Sequence, residues 1–253
     1  MKKHLTLITA TILCLGLPQT FAQFGKGPGG PKLDGAMAKL FGENTSFTAT
    51  LEYQTVQPSG ETNTMPGKLA FDTGKSRFEM NLSESKGMKI PPEAAEQLKS
   101  MGMDSMILIS RPDKNLIYLV YPGLNSFATM NQPGKSDKTD SAEFKIETTE
   151  LGKEKMEGHD CVKNKVIVTD KDSTKHESTV WNAPDLKNFP VRIETTESGQ
   201  AITMLFKKLS FDKPAGSSFE APADFTKYDN IQTMMQTEMM KKMGGGAGSP
   251  PGR

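Results

Sequence analysis

Cysteine is nearly missing from this sequence: Cys14 and Cys161 are the two it has in 253 residues. Histidine is almost as scarce, at three, and tryptophan occurs once, at Trp181. So few nitrogen and sulfur ligands leave little from which to build a zinc centre, which takes four donors. No GxSxG, HExxH, phosphate-cradling loop or dinucleotide fingerprint occurs either. The chain therefore carries no catalytic signature, and no cofactor is expected. An excess of one charge is also missing, with 31 basic against 30 acidic side chains. Nucleic acid calls for a strongly basic face, and an anionic membrane surface for a basic patch, so neither is an expected partner.

A hydrophobic run long enough to span a bilayer, about 20 residues, is not found at the start of the chain. The run from Leu5 to Leu17 is shorter, is preceded by Lys2 and Lys3, and ends at Pro18. Thr20-Phe21-Ala22 then supplies small residues at both positions that a signal peptidase reads. The pattern predicts a secretory signal over residues 1–22, cut between Ala22 and Gln23. The mature chain is expected in the periplasm or outside the cell, soluble or peripheral on the envelope, with no transmembrane segment. Leu13 stands before Cys14 where a lipoprotein signal has a small residue, so Cys14 reads as part of the signal core. Removing it leaves 231 residues with 29 basic and 30 acidic side chains. With Cys161 alone, an exported chain has no internal disulfide, and its stability must come from burial.

Composition divides the rest. Residues 23–44 open with a Gly/Pro/Lys-rich stretch and are predicted to be a flexible leader, and residues 244–253, rich in Gly and Pro, a disordered tail. Between them the dominant signal is period two. Phe47, Ala49, Leu51 and Tyr53 alternate with Thr48, Thr50, Glu52 and Gln54, as in a strand with one wet face. Phe78, Met80 and Leu82 alternate in the same way, as do Val191 with Ile193 and Ile202 with Met204 and Phe206. Met106–Ile109 and Leu116–Tyr121 are apolar on both faces and should be covered on both. The pattern predicts a mainly β (α+β) fold: a curved antiparallel sheet of about nine to eleven strands occupying residues 45–228, without internal repeats.

Two helices are expected. Residues 91–102 begin with Pro91 and Pro92, carry Glu93 in the first turn and end at Gly102, with Ala94, Ala95, Leu98 and Met101 on one face. This short helix is a candidate cover for the sheet. Residues 229–243 form the second, with Asp229 and Gln232 at capping-box spacing. Met234, Met235, Met239, Met240 and Met243 spread over more of its circumference than one core-facing stripe requires. Thioethers pack cores, make adaptable partner surfaces, and suit soft ions such as Cu(I). The same five residues are thus candidates for docking on an envelope protein.

His159, Cys161 and His176 are the weak candidates for a metal, conceivable if His176 faces Cys161 across a hairpin; the ordinary reading is a strand cysteine packed as a small hydrophobe beside a turn histidine. A Cys nucleophile would need a base and an orienting partner, and nothing around Cys161 supplies that signature.

Leu151-Gly152-Lys153-Glu154 with Gly158-His159-Asp160-Cys161, then Val180-Trp181-Asn182-Ala183-Pro184, Phe189-Pro190-Val191-Arg192 and Phe219-Glu220-Ala221-Pro222 form a set of motifs. Together they resemble an exported bacterial domain family of unknown function, DUF forty-four twelve, related in fold to the LolA/LolB lipoprotein carriers. The resemblance spans about Phe47 to Tyr228. It implies an unclosed β-barrel whose concave face is covered by helices and can hold acyl chains. Trp181 and Cys161 occupy positions of the family's motifs without an assigned role. On this basis the chain is expected to be a non-enzymatic envelope protein binding a lipid or acyl chain. Phe47, Leu51, Tyr53, Phe78, Met80, Leu82, Leu98 and Met101 are the candidate groove residues, and an ordinary closed core would use the same eight.

Overall fold

The strongest alternation in the sequence becomes the strand at the centre of the molecule. In β1, Ser46–Val56, Phe47, Ala49, Leu51 and Tyr53 are buried, and the residues between them are half-buried. The computed structural model to which β1 belongs describes residues 31, 33, 35–57, 59–87, 91–132, 144–197 and 199–244. The predicted signal and the tail beyond Gly244 lie outside these residues.

From β1 the chain meanders through β2 (Thr62–Asp72), β3 (Lys75–Asn81), β4 (Ser105–Arg111), β5 (Leu116–Tyr121) and β6 (Ser126–Asn131). A second meander runs through β7 (Lys145–Met156), β8 (His159–Thr169), β9 (Lys175–Ala183), β10 (Phe189–Glu197) and β11 (Gln200–Ser210). The turns follow from local chemistry. Pro112–Lys114 and Pro122–Leu124 are single 3-10 turns that start on proline and end on a left-handed Asn115 and Asn125. Proline presets the first φ, and asparagine tolerates the positive one that reverses the chain.

One long-range pairing joins the meanders: β1 lies antiparallel to β11 as well as to β2. The result is a twelve-stranded sheet in the order β12-β6-β5-β4-β3-β2-β1-β11-β10-β9-β8-β7, whose ends do not meet. β12 (Thr226–Tyr228) runs parallel to β6, so the sheet is mixed rather than wholly antiparallel. It also takes the strand count past the expected eleven. Three residues, two of them exposed, carry no periodic signal.

The main core lies on one face and draws on both meanders, from Phe78 and Leu119 to Val180 and Ile193. A second cluster, Ile109, Val120, Phe127 and Phe219, covers the opposite face of β4 to β6. This agrees with the apolar-both-sides reading of these strands. The cover on that face is the 3-10 turn Gly216–Phe219, clamped by Arg111, whose Nη1 donates to the Phe219 carbonyl at 3.1 Å and also to Glu220.

Among the described residues three helices complete the fold: α1 (Gly35–Lys39), α2 (Pro92–Ser100) and α3 (Ile231–Gly244). α1 corrects the predicted leader. Leu33, Leu40 and Phe41 are buried, and Asn44 Nδ2 donates to the Lys187 carbonyl at 3.2 Å. Phe41 sits among Phe47, Phe71, Phe189 and Phe206, with ring centroids 4.9 to 5.7 Å apart. The segment before β1 is therefore part of the core from Leu33 onward. The cap of α3 is also corrected: Thr233 N–H donates to Asn230 Oδ1 at 2.8 Å, so the cap is Asn230, one residue beyond Asp229.

Candidate functional site

The eight candidate groove residues lie in one buried apolar cluster. Phe47, Leu51, Tyr53, Phe78, Met80, Leu82 and Leu98 are each no more than 9% exposed, and Met101 is partly buried against the same cluster. β1 brings the first three to the covered face, β3 brings Phe78 and Met80, and Leu82 follows in the turn Leu82–Glu84. Burial, aided by the nearby Glu197 charge, pushes the Tyr53 hydroxyl up to about 12. Burial alone does the same to Tyr121. Neither phenol is poised for proton transfer near neutral pH.

α2 is lightly held. Leu98 is its one buried residue, while Glu93, Glu96, Gln97 and Lys99 face solvent. Its C-terminal end is fixed more firmly. The Met103 N–H donates to the Leu98 carbonyl at 2.8 Å across Gly102, whose φ is +74°, closing a Schellman turn.

α3 uses its methionines unequally. Met234 is fully buried, Met235 and Met239 are half-buried, and Met240 is 72% exposed. The side chain of Met243 lies outside the described residues. The helix packs on β6 and β12 through Met234 and through Glu238, which is buried. Tyr228 Oη, Lys241 Nζ and Ser126 Oγ donate to Glu238 Oε1 at 2.6, 2.8 and 3.1 Å. Burial opposes its charge, but the hydrogen bonds from Lys241, Tyr228 and Ser126 prevail and hold the carboxyl below its ordinary range.

Between α3 and the end of α2 lies a cleft of about 10 Å³, lined by Met101, Met103 and Leu124 on one side and by Met235, Glu238, Met239 and Lys242 on the other. It has room for about one water molecule and far less than an acyl chain needs. Met103 and Glu238 were not singled out in the sequence. The available signals were a second methionine just past the Gly102 stop and a single acid within a helix of Met, Thr and Gln.

The His159, Cys161, His176 set does not assemble. His176 lies opposite Val168, and Cys161 opposite Glu154. At about 3.4 Å per residue, the seven positions from Cys161 to Val168 separate them by roughly 24 Å. His159 Nδ1 instead meets Asp185 Oδ2 at 2.6 Å, and His176 Nε2 meets Asp170 Oδ2 at 3.2 Å. Burial, then the Asp185 charge, pushes the Cys161 thiol up, the reverse of what a nucleophile needs. Among the described residues no three His, Cys, Asp or Glu side chains group to hold a metal. Trp181, 3% exposed and part of the main apolar cluster, is fixed by polar partners: its indole donates to Glu154 Oε2 at 2.8 Å, and Lys163 and Arg192 lie over its ring at 4.7 and 5.1 Å. No described helix is long and apolar enough to cross a membrane.

No protein-family model and no curated protein matches the chain. Solved structures do resemble it. A LolA superfamily protein from Nitrosomonas europaea aligns over 72% of this chain and 93% of its own at 8% identity, with a TM-score of 0.37. The Mycobacterium tuberculosis lipoprotein LppX aligns over 68% and 92% at 10% identity, with a TM-score of 0.40. MucB in complex with MucA(peri) aligns over 75% and 60% at 16% identity, with a TM-score of 0.35. The fold itself defines a mainly-β protein with an unclosed twelve-stranded sheet.

Proposed function

We propose that the protein is a non-enzymatic binder of the cell envelope that takes up a lipid, or the acyl chain of a lipoprotein, when α2 lifts from the covered face of the sheet. The supporting observation is how lightly α2 is held: Leu98 is its one buried side chain, and it belongs to the continuous apolar cluster. Withdrawing Leu98 costs about 1.5–3 kcal/mol, whereas ten buried methylenes return about 8 kcal/mol. An apolar chain of that length can therefore hold the helix open. In this reading the closed form is the resting state, and Phe78, Met80, Leu82, Leu98 and Met101 line the space that opens.

The test uses native mass spectrometry of the chain purified from the envelope, together with titration of a fluorescent fatty acid. A co-purified lipid and saturable uptake are expected. Leu98→Ala should raise the uptake, because it loosens the cover without enlarging the sheet. A chain that carries no lipid, and whose wild type and Leu98→Ala form both ignore the probe, would sink the reading.

A further inference from the structure

The cleft between α2 and α3 gathers four methionines from segments more than 130 residues apart in sequence. Met101 and Met103 flank the Gly102 stop of α2, and Met235 and Met239 lie one helical turn apart on the same face of α3. We propose that this cleft is a thioether site for a soft monovalent cation, Cu(I) or its redox-inert analogue Ag(I), with these four methionines as the donors.

Two observations carry it. The first is donor chemistry. Neutral thioether sulfur is a poor ligand for hard ions and a good one for Cu(I), so the donor set itself selects the ion. A His- or carboxylate-based site is not its competitor here, since none forms among the described residues. The second is size. The cleft is about 10 Å³, which suits one bare ion better than an organic ligand. The lining surface is apolar, as neutral thioethers around a soft ion require, and Glu238, paired with Lys241 at 2.8 Å, is engaged away from it. Adaptable core filling accounts for methionines in a helix, whereas two segments distant in sequence bring four of them around this one small space. This site shares α2 and Met101 with the acyl reading but does not rest on it, since it needs α2 in the position the structure shows.

The test keeps Cu(I) reduced with ascorbate under anaerobic conditions and sets the full chain against a bathocuproine competitor. In parallel, Ag(I) is added to protein labelled with carbon-13 at the methionine methyls. One equivalent of Cu(I) should be taken up, and the methyl resonances of Met101, Met103, Met235 and Met239 should move on Ag(I) addition while that of the exposed Met240 does not. The double variant Met235→Leu/Met239→Leu should bind at least tenfold more weakly, and Met240→Leu should match wild type. Leucine conserves volume and apolarity, and circular dichroism checks that the variant is folded. Should the double variant not fold, the methyl shifts of the wild type decide alone. No uptake against the competitor, undiminished binding by the double variant, or silver that leaves the Met235 and Met239 methyls unmoved, as binding at Cys161 would, overturns the proposal.

Discussion

At the scale of single residues, Asp72 at the end of β2 ties the first hairpin together. Ser46 Oγ donates to its Oδ1 at 2.6 Å, Thr73 Oγ1 to the same oxygen at 3.1 Å, and Lys75 Nζ reaches Oδ2 at 2.9 Å. The Ser46 bond does most to lower its pKa; burial pulls the other way, and the contacts with Lys75 and Thr73 complete a shift from 3.8 to about 2. In the unfolded chain the carboxyl takes up its proton near 3.8. The folded state therefore holds the full benefit above about pH 4 and loses it as pH falls to about 2, a difference of about 2 kcal/mol. Asp72→Asn should lower the urea midpoint at pH 7 and flatten its decline between pH 4 and pH 2. A wild-type midpoint that stays level across that window contradicts this account. None of it was visible in the sequence, where Asp72 is one acid among thirty. Phe41 was hidden for a related reason: its burial is decided by Phe71, Phe189 and Phe206, up to 165 residues away. The spacing Met37-Leu40-Phe41 was the one local hint.

At the scale of elements, the stop of α2 is the most tightly specified feature near the proposed sites. Gly102 is left-handed, and a Cβ there would meet the Gly123 carbonyl oxygen at 2.3 Å. Gly123 returns the constraint, since its own Cβ would meet the Gly102 oxygen at 2.5 Å. Two backbones touch here, with no flexible side chain to give way. Gly102→Ala should therefore cost about 1–3 kcal/mol from the positive φ alone, and more from the clash. Because the turn also sets where Met101 and Met103 stand, the same variant should weaken Cu(I) retention. Thermal melting and the bathocuproine competition measure the two effects; an unshifted melt would show that the contact is not rigid. This helix was legible because its signals are local: proline at the start, glycine at the end and a short apolar face between. β7 was not legible from its alternation. Its register with β8 from Lys145 to Met156 defines it, yet nearly every residue in that span is exposed, so no apolar period exists. Its charges and its bulge between Glu150 and Gly152 serve the edge position, since both discourage pairing with another chain. The eight groove candidates share one apolar cluster, which period two could suggest strand by strand but not assemble, because the assembly rests on pairings such as β1 with β11.

At the scale of the molecule, the question is whether two meanders joined by a single pairing behave as one unit. β1 answers it through its side chains. Phe47 contacts Phe71 of the first meander at 5.2 Å and Phe189 of the second at 4.8 Å, with Phe41 lying over them all. One cluster thus runs from Leu119 through β1 to Val180, and neither half can open without exposing aromatic surface of the other. Fully exposing a residue such as Phe47 costs about 1.5–3 kcal/mol before its ring contacts are counted, so a half-unfolded sheet with several exposed rings carries a penalty comparable to the whole stability of a domain. A single cooperative transition is expected. Trp181, the sole tryptophan, reports on β9 in the second meander, while far-UV circular dichroism reports on all strands. The two urea curves should coincide in midpoint and steepness. A tryptophan transition that precedes the loss of ellipticity would mean that the second meander unfolds alone, and that the β1–β11 joint is weaker than its aromatic packing implies.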